Sequence, residues 1–216
     1  MTAEASGGDR ETGADRPDES ATDDRVEDDT TETGETRPEW DDEFLDRVAD
    51  SLQFNYDLQR DERVAGRRFA LYGRLEMDSH KQFFHPAISF GHQFSYEHLY
   101  VDRLPRPTVA DLDSLVEVGH ELAADIDHDE EHYATEFVFV VLAEELTDDV
   151  AARVRSHDDR TMLKYGYHGH YEVDLVVVVP DDQRVVDSGS PIADAFRLWN
   201  TGQESSGLLG RLKGLF

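Results

Sequence analysis

The chain has 216 residues, no cysteine and a formal net charge of −28, from 49 carboxylates against 21 cationic side chains. The lack of cysteine excludes disulfides, thiolate metal sites, iron–sulfur clusters and a cysteine nucleophile, and the longest apolar run, Phe137–Ala143, is far short of the roughly 20 residues that span a bilayer. Three of the cations are lysine and eighteen arginine, so the charge reads as a surface adapted to molar salt, where the Debye length is about 3 Å and self-repulsion is screened.

Residues 1–38 are rich in Asp, Glu, Thr, Gly and Ser, with Val26 the one large aliphatic after Met1. Such a segment buries too little apolar surface to offset chain entropy, which predicts a disordered, solvated acidic tail. It has no apolar stretch of the signal-peptide kind, so a cytoplasmic protein is expected. A single globular domain over 39–199 is expected to come after it. Trp40, Phe44, Val48 and Leu52 recur every fourth residue, with Leu45 beside them, the stripe of an amphipathic helix. Phe54–Leu58 reads as a strand that pairs, through a polar turn around Asp61–Gly66, with a strand carrying Phe69, Leu71, Gly73, Leu75 and Met77 on one face. A third strand over Phe94–Val101 completes an antiparallel meander.

Thr108 and Asp111 form a capping-box pattern ahead of Leu112, Leu115, Val116, Gly119, Leu122, Ala123 and Ile126 on one helical face. Thr135–Ala143 is apolar and β-branched, a central strand buried on both faces. Thr147 opens a short helix with Asp148 and Asp149 in its first turn, where the helix dipole favours them. Arg160–Tyr167 and Tyr171–Val179 read as strands. Leu163, Tyr165 and Tyr167 share parity with Tyr171, Val173 and Leu175 across a three-residue turn, a hairpin with His168–Gly169–His170 at its tip. Strand, short helix, strand predicts that Thr135–Ala143 and Arg160–Tyr167 run parallel. A last helix near Pro191–Trp199 closes an α+β fold: a mixed sheet with an antiparallel meander, one βαβ unit and helices packed on the sheet.

Ligands in βαβ units gather at the carboxyl ends of parallel strands. That places Glu144, Glu145, His168, His170 and Glu172 on one expected rim, whose imidazoles and carboxylates suit Zn or Mn, against the alternative of a solvated turn beside surface carboxylates. No cofactor is otherwise expected. His128 to His132 match H-x-x-E-H, which resembles the inverzincin metallopeptidases over five residues, but they lie in an acidic connection without an apolar stripe to carry a helix. Between Asp78 and Tyr100, the residues His80, Lys81, His85, His92 and His98 are interleaved with six aromatics, either a pocket for a flat ligand or core packing. Lys81 stands out because only a lysine titrates or forms a Schiff base in a chain that otherwise uses arginine. Arg60, Arg63, Arg67, Arg68 and Arg74 are the one locally basic stretch; pairing with neighbouring carboxylates is expected, and nucleic-acid binding is not, since screening weakens it at molar salt.

After a polar linker over 200–207, Leu208, Leu209, Leu212, Leu215 and Phe216 fall on one helical arc bordered by Arg211 and Lys213. A helix this short is unstable alone in water, so residues 208–216 are expected to dock on the domain, on a protein partner or on a membrane surface. The blocks Asn55–Arg60, Leu71–Arg74, His132–Phe137 and Lys164–Val173 resemble an uncharacterised family of acidic haloarchaeal proteins over about Trp40–Trp199. That resemblance implies salt adaptation and no activity. The sequence favours a non-catalytic binding or adaptor domain that engages a protein partner through the C-terminal helix. The alternative is a metal-dependent hydrolase or nuclease-like enzyme at the Glu144/His168 rim.

Overall fold

The computed structural model describes residues 37–81, 91–126 and 129–200. Most of the acidic N-terminal segment, and the C-terminal arc with Leu208, Leu209, Leu212, Leu215 and Phe216, lie outside them. Helix α1 (Glu43–Leu52) starts where the Asp42 carboxylate accepts a hydrogen bond from the Leu45 N–H at 2.8 Å. Trp40, expected inside the helix, precedes it outside any regular element, and its indole N–H donates to the Ala70 carbonyl at 2.8 Å.

Strands β1 (Asp57–Val64), β2 (Arg67–Lys81) and β3 (Gly91–Arg103) form the expected antiparallel meander. β1 runs to Val64 and turns at Ala65 and Gly66, both left-handed (φ 48° and 75°), so the turn is two residues long. Its charged residues concealed it because an edge strand with little buried face shows no alternation. Helix α2 (Val109–Ala123) has the capping box in full: the Asp111 N–H donates to the Thr108 hydroxyl and the Thr108 N–H to the Asp111 carboxylate. Strand β4 (His132–Leu142), helix α3 (Asp148–Arg155), strands β5 (Arg160–Met162), β6 (His170–Val179) and β7 (Arg184–Asp187), and 3-10 turns over Pro191–Phe196 and Leu198–Asn200 complete the order.

The seven strands form one mixed sheet in the order β1-β2-β3-β4-β6-β5, with β7 also on β6. β3, β4 and β6 are mutually parallel and every other pairing is antiparallel. The fold is therefore α+β as expected, with two crossovers, through α2 and through α3. The parallel partner of β4 is β6, not the segment Arg160–Tyr167. That segment stops being a strand at Met162: the chain turns left-handed at Lys164, Tyr165 and Gly166 (φ 46°, 60° and 89°), and β5 is a three-residue antiparallel stub. Parity misled here because Tyr165 and Tyr167 face solvent at the sheet edge, 99% and 83% exposed, and not a core.

β4 is central. Phe137, Phe139 and Val141 on one face pack with α2 and α3; Val138, Val140 and Leu142 on the other pack with α1 and the Pro191–Phe196 turn. Helices cover both faces of the sheet, giving three layers. Gly119 allows α2 to approach the sheet, since a Cβ there would lie 2.8 Å from Val173. No helix among the described residues is long and apolar enough to cross a membrane.

Candidate functional site

The apolar core of the α1 face ends abruptly and gives way to a row of carboxylates. Moving toward the amino ends of the parallel strands, the inward position after Leu99 on β3 is Glu97, after Val138 on β4 is Glu136, and after Val176 on β6 are Asp174 and then Glu172. Glu97, Glu136 and Glu172 are direct neighbours in register across three adjacent strands, whose spacing is about 5 Å. Like charges opposite one another destabilise a sheet, so each group needs an explanation.

Three of these groups have donors. The Tyr56 hydroxyl donates to Glu97 Oε1 at 2.7 Å. Arg160 on β5 pairs with Glu172, which also lies 3.2 Å from His170 Nε2. The Ser188 hydroxyl donates to Asp174 Oδ1 at 2.7 Å. The Glu136 carboxyl, between them, has no hydrogen-bond donor among the described residues. Burial first, then the Glu97, Glu172 and Asp174 charges, pushes Glu136 up to about 7. Burial also raises Glu97 against the Tyr56 hydrogen bond, and Asp174 against that of Ser188.

Glu136 opens into a cleft of about 480 Å³ at the outer edge of β6, where Glu172, Asp174, Asp158, Asp159, Arg155 and Arg160 also contribute. The cleft exists because two short strands share that edge end to end: β5 pairs with His170–Glu172 and β7 with Val176–Val179. Between them the outward backbone groups are all met. The Val173 N–H donates to the Asp159 carbonyl, the Val173 carbonyl accepts from His157 Nε2, the Leu175 N–H donates to the Ser188 hydroxyl, and the Leu175 carbonyl accepts from the Ser188 N–H. Since a carbonyl only accepts and the Arg153 guanidinium, 3.0 Å from Nδ1, only donates, buried His157 carries its proton on Nε2. On the α2 side, His120 sits between the Asp159 carboxylate (3.1 Å from Nε2) and the Tyr171 hydroxyl (3.0 Å from Nδ1).

The residues expected on one rim are divided between the two ends of the sheet. Glu144 and Glu145 come just after the carboxyl end of β4, where the Glu145 carboxylate accepts from Arg106 at 2.9 Å. His168 and His170 lie at its amino end: buried His132 donates from Nδ1 to the His168 carbonyl at 2.7 Å, and His170 is in register with Ala134. Ten residues of strand separate the two groups, roughly 30 Å. The cause is the pairing of β4 with β6: the chain returns along α3 before β5, so the His-Gly-His turn lies at the start of a parallel strand. His170 and Glu172 do come together. Among the described residues no group of three or more His, Asp or Glu side chains is arranged to hold a metal ion.

Lys81 ends the β2–β3 ladder opposite Gly91; its side chain lies outside the described residues, as do His128 and residues 82–90. His132, the last position of the H-x-x-E-H pattern, begins a strand and not a helical turn. His98 is core packing: its ring stacks on Phe137 at 5.4 Å, its Nδ1 lies 2.8 Å from the Tyr72 hydroxyl, and burial pushes it down to about 4. Within the basic stretch the expected pairing with carboxylates is seen at Arg60, Arg67, Arg68 and Arg74, with Arg67 on Asp102 and Arg68 on Asp61 at 2.8 and 2.7 Å. The sequence reading missed Glu97, Glu136 and Asp174, although a signal was present: each occupies the apolar-parity position of a strand otherwise filled by Leu, Val or Phe.

At the amino end of the sheet the Leu163–Gly166 turn forms an exposed tip. Gly169 (φ 72°) anchors it, because a Cβ there would fall 2.0 Å from the Tyr133 carbonyl oxygen. Lys164 and Tyr165 hold left-handed backbone without being glycine, at a cost of about 1 kcal/mol or more each.

Fold and site together define a three-layer domain with a carboxylate row running from its core into an edge cleft. Residues 41–198 match the model of a domain of unknown function, DUF8052, and the chain belongs to that family. No curated protein and no solved structure matches the chain.

Proposed function

We propose that the chain is a non-catalytic binding domain whose edge cleft receives a basic side chain, lysine or arginine, of a protein partner. The observation that carries this reading is Glu136, a carboxyl set among three others and without a donor among the described residues, in a cleft where five carboxylates face two guanidiniums. A guanidinium supplies both the counter-charge and the planar donors that Glu136 lacks. The expected C-terminal helix over 208–216 belongs to the same reading as a second docking element, and the acidic composition supports a cytoplasmic setting in a halophilic archaeon.

An 15N-labelled sample titrated in multimolar KCl with an arginine-centred tripeptide tests the cleft. The amides of Val173, Leu175 and Ser188 are expected to shift, and a citrulline version, isosteric but uncharged, is expected to leave them unmoved. Equal responses to the two peptides, or none to either, would overturn the reading. The metal-dependent hydrolase alternative loses its common rim, since Glu144 and Glu145 lie at the opposite end of β4 from His168, His170 and Glu172.

A further inference from the structure

We propose that the tip formed by Met162, Lys164, Tyr165 and Tyr167 is a self-association surface, and that its occupant is a second copy of this chain. The proposal is independent of the cleft and its ligand. Six large apolar or aromatic side chains are exposed among the described residues, and four of them, Tyr133, Met162, Tyr165 and Tyr167, stand together at the amino ends of β4 and β6. Tyr165 and Tyr167 do not project through disorder of the turn. Left-handed backbone at Lys164, Tyr165 and Gly166 aims them outward, and Gly169 fixes the turn against the Tyr133 backbone.

Charge selects the occupant. Two chains that each carry −28 repel wherever carboxylates face each other, so self-association proceeds through the surface where acids are fewest. Thr161–Tyr171 is an eleven-residue run without a carboxylate, and it holds Lys164, one of three lysines in the chain. An unrelated basic partner would be drawn to the acidic remainder of the surface and not to this run. The hollow of about 650 Å³ beside the tip, lined by Glu130, Lys164, Tyr165, Tyr167 and His168, gives a twofold contact its complement: each copy presents a tyrosine and a hollow, and Lys164 of one copy meets Glu130 of the other. An isologous interface needs such self-complementarity. Buried aromatics of roughly 150–250 Å² each, with Met162 added, bring the contact toward the ~800 Å² per partner of a standard interface.

Sedimentation equilibrium of the full chain in multimolar KCl, from micromolar to submillimolar protein, tests this. The chain is expected to dimerise with concentration. The double variant Tyr165→Ser, Tyr167→Ser is expected to raise the dissociation constant at least tenfold with its thermal melt unchanged, because both side chains touch solvent and not core. Phe54→Ser, which removes an equally exposed aromatic at the end of α1, is expected to dimerise like the parent. Lys164→Glu is expected to weaken the dimer by placing carboxylates against Glu130. A parent chain monomeric at every concentration, or a double variant that dimerises like the parent, would overturn the proposal.

Discussion

Glu136 makes the stability of the protein depend on pH in a direction opposite to that of most carboxylates. In the unfolded chain its carboxyl titrates near the ordinary 4.5, and in the folded chain at about 7. Below the lower value both states hold the proton and the group does not affect folding. As pH rises between the two, the unfolded state releases its proton first, so stability falls, and above about 7 the whole penalty is present. Discounted for partial exposure and salt screening, that penalty is about 1–2 kcal/mol. Glu136→Gln is therefore expected to be more stable than the parent by this amount near pH 8 and equal to it near pH 4, read by denaturant melts at the two pH values. If the cleft receives an arginine as proposed, the same substitution is expected to weaken its binding, so affinity and stability would move in opposite directions at one side chain.

The secondary elements differ in how far the sequence announces them. α2 is the clearest, because a capping box and four turns of apolar spacing are local properties, and the central position of β4 is implied by its unbroken apolar run. The pairing of β4 with β6 was not legible: three-residue β5 is too short for a pattern, and the left-handed turn after it depends on the contact between Gly169 and Tyr133, thirty-six positions apart. The carboxylate row was hidden for the same reason. Glu97, Glu136 and Glu172 become a row only once the register across three strands is known, while the Glu144/His168 rim was drawn on a pairing the chain does not make. Outside the described residues, the apolar arc of Leu208–Phe216 comes after a polar linker and continues no upstream stripe. Its deletion is expected to shift the melting temperature by no more than a few degrees, about 1 kcal/mol. A calorimetric scan of the truncated chain checks this, and global unfolding would assign the arc to the core.

For the molecule as a whole, charge sets the conditions of folding. With 49 carboxylates and 21 cations, thermal stability is expected to rise steeply from dilute buffer to multimolar KCl as self-repulsion is screened; a flat melting profile would mean that the charges are compensated locally. The same brine strengthens apolar association and so favours aggregation. Against that background the divided edge of β6 acquires a second significance. A bare strand edge is a template on which another chain can build a cross-strand ladder. Here the two short strands, with His157, Asp159 and Ser188 between them, leave the Val173–Leu175 stretch no unpaired outward backbone group. The opposite margin, β1, is guarded by its charged sequence Asp57–Val64. The break that opens the cleft thus also denies fibrils a starting point, and a designer closing it with one longer strand would lose the cleft without gaining protection.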